Sequence, residues 1–138
     1  MKKTTIQNVR IIDIPKIIDQ QRRGNLCVIE NNVLPYSVER VYYLFDVPSD
    51  ASRGGHAHIA CHELLVALSG SFDVVIKDGV NTKTISLNKP NKGLLIVEGI
   101  WRELENFSSG AVCLVLASDI YEETDYIREF PKFLKSKT

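Results

Sequence analysis

All three histidines of the 138-residue chain fall within seven residues, in RGGHAHIACHE, Arg53 to Glu63. His56 and His58 stand two apart, and in a strand such residues project from the same face. Two adjacent imidazoles titrating near neutral pH can take a proton and give one back, which suits enolisation beside a carbonyl. Arg53 precedes them, with Gly54 and Gly55 between. The glycines let the backbone bend or a ligand approach closely. A guanidinium opposes a metal cation and suits a phosphate or a developing enolate oxygen. His62 falls in the turn after the pair and reads as a surface bystander. No GxSxG elbow, P-loop or dinucleotide glycine run competes, and none of the three cysteines has a distant histidine to activate it.

The rival chemistry is metal binding. His56-x-His58, four residues, Glu63, six residues and Gly70 resembles the first half of the cupin metal motif. The second half of that motif normally brings a further histidine from a distant strand. Its counterpart here, GLLIVEGIWRELEN (93–106), contains no histidine. Three protein ligands are not assembled in this way, so the expectation is a site with no metal and no cofactor.

These side chains need a scaffold of strands. VERVYYLFDV (38–47), ELLVALSG (63–70), SFDVVIKDG (71–79), TKTISL (82–87), GLLIVEG (93–99), WRELENFS (101–108) and AVCLVLAS (111–118) follow one another at short spacing, as do the earlier NLCVIE (25–30) and TIQNVRIID (5–13). Ser69-Gly70-Ser71, Asp78-Gly79 and Ser109-Gly110 mark the turns. Such a series predicts an all-β sandwich or barrel of antiparallel sheets. A short helix is expected in EETDYIREFPKFLK (122–135), with Thr124 as its cap, Tyr126, Ile127 and Phe130 facing the body, and Pro131 breaking or restarting it.

The chain is long enough for one domain, residues 1–138, and too short for two. Seventeen basic and seventeen acidic residues leave no net charge, which removes the simplest case for nucleic acid. The hydrophobic and charged fractions, 44% and 25%, are those of a globular protein. Cys27 and Cys113 lie in apolar runs and read as reduced core or near-core thiols. There is no apolar leader after MKK and no run long enough to cross a membrane. A cytoplasmic protein is expected.

The ordered blocks PYSVERVYYLFDV, RGGHAH, LSGSFDVVIKDG, GIWRELENFS and LVLASDIYEETDYIREF resemble the sugar 3,4-ketoisomerase family, over about residues 24–131. The resemblance implies a cupin-type antiparallel β-barrel (jelly roll) and a metal-free isomerase. Its substrate would be dTDP-4-keto-6-deoxyglucose, with the keto group moved from C4 to C3 in the synthesis of deoxyaminosugars for glycans such as lipopolysaccharide. It also implies a homodimer with exchanged N-terminal strands. Carried onto matching positions, His56 and His58 are the catalytic pair, with His56 the first base. Arg40, Tyr42 and Arg53 line the pocket, on strands expected to be neighbours, and Tyr43 and Trp101 are candidate stacking groups. Three positions depart from the family pattern: Ile59 where relatives carry Lys, Glu63 where many carry Gln, and Arg102 where a histidine is common. A non-catalytic nucleotide-sugar binder and a 3,5-epimerase of related fold are the alternatives.

Overall fold

A computed structural model describes residues 4–138. Twelve strands form among the described residues: β1 (Arg10–Asp13), β2 (Lys16–Ile18), β3 (Asn25–Cys27), β4 (Arg40–Phe45), β5 (Arg53–His58), β6 (Glu63–Ser69), β7 (Phe72–Lys77), β8 (Thr82–Leu87), β9 (Lys92–Ile96), β10 (Trp101–Glu105), β11 (Val112–Ala117) and β12 (Tyr126–Ile127). One helix, α1 (Phe130–Ser136), follows. Two five-stranded antiparallel sheets, ordered β1-β9-β6-β11-β4 and β12-β5-β10-β7-β8, face each other, and β2 and β3 make a separate hairpin. The all-β class with a short C-terminal helix is as the sequence predicts.

Side-chain periodicity explains the layers. Along β7 burial alternates: Phe72, Val74 and Ile76 point into the sandwich, as a sheet with one covered face requires. β6 is instead buried over Glu63–Ala67. Leu65 and Ala67 enter the central core, while Leu64 and Val66 pack outward against Ile12, Ile14, Leu34, Leu95 and Leu116. The N-terminal segment thus covers the outer face of the first sheet. The outer face of the second sheet is covered by α1, where Phe133 packs on Ala57 and Trp101.

Two glycines are required by geometry. Gly70, between β6 and β7, has φ +65°, and a Cβ there would lie 2.4 Å from Ser108 Oγ and 2.9 Å from Ala111 Cα. Gly54 has φ +88° and sits where the β5–β10 register shifts between Arg102↔His56 and Leu104↔Arg53. That shift is a bulge, and Gly54 takes the left-handed conformation it needs.

Several local expectations are revised. β4 and β5 are not neighbours: they lie in opposite sheets, β4 beside β11 and β5 between β12 and β10. The chain crosses between them through Asp46, at φ +57°, and Pro48. Residues 5–13 begin as a 3-10 turn capped by Thr5 before β1 starts at Arg10. β2 was not expected as a strand. Cys27 is exposed, because the β2–β3 hairpin stands off the sandwich, whereas Cys61 and Cys113 are buried. Helix α1 starts at Phe130 with Pro131 in its first turn and Glu129 as cap. Thr124 caps nothing: it lies inside a 3-10 turn, Glu123–Asp125, and the two residues that follow pair with β5. No helix among the described residues is long and apolar enough to cross a membrane.

Candidate active site

The end of the sandwich nearest β12 contains a cavity of about 390 Å³ between the two sheets. Strand register places its polar residues. On β5 and β10, His56 pairs with Arg102, so both enter the interior from neighbouring strands. On the opposite sheet, Glu63 and Arg40 both pair with Ala117. Tyr42 and Leu65 both pair with Val115. Residues opposite one another on adjacent strands share a face, and here that face is the cavity wall.

Glu63 is the hub. Arg102 Nη1 donates to its Oε1 at 2.7 Å and Tyr42 Oη to its Oε2 at 2.7 Å. Arg40 Nη2 stands 3.8 Å from Oε2. Burial would raise the Glu63 carboxyl, but its contacts with His58, the Arg102 charge and the Tyr42 hydrogen bond outweigh that and hold it below the usual carboxylate range. The Tyr42 hydroxyl is driven far up, first by burial and then by the Glu63 charge. Arg102 is 1% exposed, its remaining guanidinium contacts going to Ile100 O. Glu63 and Arg102 are two of the three departures from the family pattern, and the structure makes them partners: the added negative charge faces the added positive one.

The two histidines differ in access. His56 lines the cavity; His58, 0% exposed, lies behind it and does not. Their Nε2 atoms are 3.2 Å apart. His58 Nδ1 is 2.8 Å from Asp125 Oδ2, and its carbonyl accepts from Gly99 N at 2.8 Å. Burial, then the Arg102 charge, holds His56 far below its ordinary value, at about 2. It is therefore a neutral imidazole, able to accept a proton, at any physiological pH.

Arg40, Arg53, Arg102 and Arg128 line the cavity, with Glu63 the one carboxylate among its lining residues. Tyr126 lies between: its hydroxyl accepts from Arg40 Nη1 at 3.3 Å, its ring is 4.9 Å from that of His56, and the Arg128 guanidinium covers it at 4.2 Å. Arg128 is gripped by Glu123, with N···O distances of 2.8 Å from both Nε and Nη2. Leu44, Leu65, Leu104 and Val115 form the apolar floor.

Of the residues expected from sequence, His56, Arg40, Tyr42 and Arg53 meet at the cavity, and His58 backs it. Tyr43 and Trp101 do not reach it. Tyr43 points outward from β4, 60% exposed, beside Phe45. Trp101 is packed under α1 against Phe130 and Phe133, its Nε1 bonded to Glu103. Both occupy the outward parity of their strands, so neither ring can stack on a ligand in the cavity. His62 is a peripheral residue, 3.2 Å from Glu98. Asp125, Tyr126 and Arg128 were missed as site residues because the ETDYIR segment read as helix. Its three closely spaced polar and aromatic positions beside the one specific histidine block were the available clue. Cys113 cannot serve as a nucleophile, since burial pushes its thiol up to about 12.

His56, His58 and Glu63 offer three donor atoms within 4.8 Å of one another, a spacing a cupin metal could in principle use. The donor chemistry does not fit it. Glu63 is already claimed by a fixed guanidinium at 2.7 Å, and that charge would oppose a divalent ion at the same oxygen.

Comparisons with known proteins give the family. The FdtA family model, described as WxcM-like, C-terminal, matches residues 7–138. A TDP-4-oxo-6-deoxy-alpha-D-glucose-3,4-oxoisomerase from Aneurinibacillus thermoaerophilus is 45% identical over 127 residues, covering 91% of this chain and 90% of that protein. Among solved structures, a 3,4-ketoisomerase from Helicobacter canadensis aligns with a TM-score of 0.90 and 42% identity, covering 94% of this chain and 97% of its own. A mutant of the QdtA 3,4-ketoisomerase from Thermoanaerobacterium thermosaccharolyticum, solved with TDP-4-keto-6-deoxyglucose, aligns with a TM-score of 0.90, 39% identity and 94% coverage of both chains. Over nearly its whole length the chain is thus similar to enzymes of one kind: it belongs to the TDP-sugar 3,4-ketoisomerase family.

Proposed function

We propose that this chain moves the keto group of TDP-4-keto-6-deoxyglucose from C4 to C3 through an enediolate, with His56 as the base. The observation that carries this reading is a neutral imidazole reaching a cavity whose other polar walls are arginines, tyrosines and the Arg102-paired Glu63. The C3 proton is acidic because it is α to the C4 ketone, and His56 takes it. The charge that develops on O4 is met by Arg40, with Tyr42 and Tyr126 as further hydrogen-bonding groups. Reprotonation at C4, with the O3 proton passing to O4, leaves the ketone at C3 and conserves every atom. Arg53 and Arg128 stand on the cavity lining where a diphosphate would be held.

His58, whose Nε2 stands 3.2 Å from that of His56, is the second member of the proton-transferring pair. The chain works as one domain, and its reaction needs no metal, given the Arg102 charge at Glu63. A homodimer is also inferred. Ile17, Ile18 and Leu26 on the β2–β3 hairpin and Val41, Tyr43 and Phe45 on β4 are exposed apolar residues, an arrangement that burial against a second copy would relieve.

One incubation with TDP-4-keto-6-deoxyglucose in deuterium oxide, followed by carbon NMR with and without EDTA, tests the reading. The carbonyl resonance should move from C4 to C3 at equal rates in both samples. Label entering C3 or C5 with the carbonyl still at C4 would mean an epimerase. Binding with no exchange would mean a sensor module, and loss of turnover in EDTA would overturn metal independence.

A further inference from the structure

The two phenols on the cavity wall have opposite hydrogen-bonding polarity, and only one of them can serve an oxygen that carries no hydrogen. We propose that Tyr126 is a catalytic residue that donates a hydrogen bond to O4 of the keto-sugar. Arg40 Nε is the second donor to that oxygen, and Tyr42 meets the sugar only as an acceptor. This rests on the isomerase reading above and divides between the two tyrosines the hydrogen bonding which that reading gives them jointly.

Tyr42 is already committed. Its Oη lies 2.7 Å from Glu63 Oε2, and Glu63 is a carboxylate, held below the usual range despite its burial. A carboxylate only accepts, so the hydrogen between them is the phenol's. Tyr42 therefore offers the cavity lone pairs. Negative charge beside it is also opposed, since burial and then the Glu63 charge drive its hydroxyl far up.

Tyr126 is the reverse. Arg40 Nη1 stands 3.3 Å from its hydroxyl oxygen, and a guanidinium has only hydrogens to give. The phenol oxygen accepts, and its own hydrogen has no acceptor among the described residues. Arg40 Nε is buried and likewise has no hydrogen-bond partner among them, a state that buried donors rarely keep. Both residues line the cavity, Tyr126 from β12 and Arg40 from β4 in the opposite sheet. The Tyr126 ring is 4.9 Å from that of His56, which sets the donor beside the base.

The sugar's chemistry sorts the pair. A C4 ketone accepts hydrogen bonds and gives none, so it suits Tyr126 and Arg40 and not Tyr42. The neighbouring C3 hydroxyl carries a hydrogen that Tyr42 can accept. When His56 takes the C3 proton, the C–H electron pair becomes the C3–C4 π bond and the carbonyl pair moves onto O4. Neither donor gives up its hydrogen. Their bonds to O4 strengthen as its charge grows, so the stabilisation is larger in the transition state than in the bound ketone.

Tyr126→Phe removes the hydroxyl and keeps the ring. Its kcat should fall by about 10²- to 10³-fold, the scale of one lost oxyanion donor, with KM within about threefold of the parent. Exchange of the C3 hydrogen in deuterium oxide should slow by the same factor. A kcat within about threefold of the parent would overturn the assignment, as would a larger loss of kcat in Tyr42→Phe than in Tyr126→Phe. Infrared spectroscopy of TDP-4-keto-6-deoxyglucose, carbon-13 labelled at C4 and bound to His56→Ala enzyme, reads the donor without turnover. The carbonyl stretch should rise when Tyr126→Phe is added and hold when Tyr42→Phe is added; a stretch unmoved by Tyr126→Phe sinks the proposal. If the parent enzyme turns over no keto-sugar, the isomerase reading fails, while the carbonyl stretch still decides whether Tyr126 holds O4.

Discussion

Along β4, β6 and β10, a step of two residues carries the interior wall from Tyr42, Glu63 and Arg102 to Leu44, Leu65 and Leu104. Backbone geometry is the same in both layers, and both face one cavity. What differs is how each layer is held. Leu65, Leu104 and Val115 belong to a continuous core with Phe72, Val74, Ile76 and Leu94, where any side chain of the right volume preserves most of the contact. The polar layer is a set of pairings: Arg102 to Glu63, Tyr42 to Glu63, His56 to His58, His58 to Asp125. Removing one member leaves another buried and unpaired. The apolar layer is specified by volume, the polar layer by partners.

Three measurements would break or sharpen this contrast. The largest effect is expected on activity. His56→Ala should lower kcat by about 10³- to 10⁴-fold, whereas Leu104→Met, nearly conserving volume in the next layer, should leave kcat within about threefold. Substantial turnover by His56→Ala would remove the reason to treat the layers differently. Next comes stability, read by urea unfolding. Arg102→Met strands the Glu63 carboxylate and should cost about 3–5 kcal/mol, against less than about 1.5 kcal/mol for Leu104→Met. Equal losses would mean that the ion pair is no more specific than a hydrocarbon contact.

The smallest effect is on how stability varies with pH. Unfolded, His56 takes up a proton near its ordinary value of 6.5; folded, it does not until about 2. Stability should therefore be full above about pH 6.5 and decline as the pH falls below it, because unfolding then binds a proton. Glu63, whose folded carboxyl is also depressed, adds a second decline below its ordinary value of 4.5. His56→Gln should flatten the first decline, and Leu65→Ala should lower the whole curve without changing its shape. A parent curve level between pH 7 and 5 would contradict the neutral, buried state of His56.

Much of the scaffold was legible. β8 matches its expected span, and β4, β6, β7, β9, β10 and β11 lie within one residue of theirs or inside them, because alternation and turn residues report directly on one covered face. The short pieces were not. β2 has three residues, all exposed, and β12 has two; both exist through pairing with distant chain, which no local pattern encodes. At the site, the HxH spacing exposed His56 and His58, and the resemblance located Arg40, Tyr42 and Arg53. Tyr43 and Trp101 were misplaced relative to the cavity because aromatic character is visible in a sequence, while inward or outward parity depends on where a strand is joined to its sheet.

By itself, then, the sequence determined an all-β chain, a paired-imidazole site without the second half of a metal motif, and membership of a ketoisomerase family. Tertiary structure alone decided that β4 and β5 face each other across a cavity instead of pairing, that Glu63 and Arg102 neutralise each other, and that Asp125 stands behind His58. The physical reason is range. Side-chain type and strand parity are set by residues one or two apart, whereas each of these relations joins positions well beyond that range. They exist only because two sheets closed on one another and left buried charges that had to find partners.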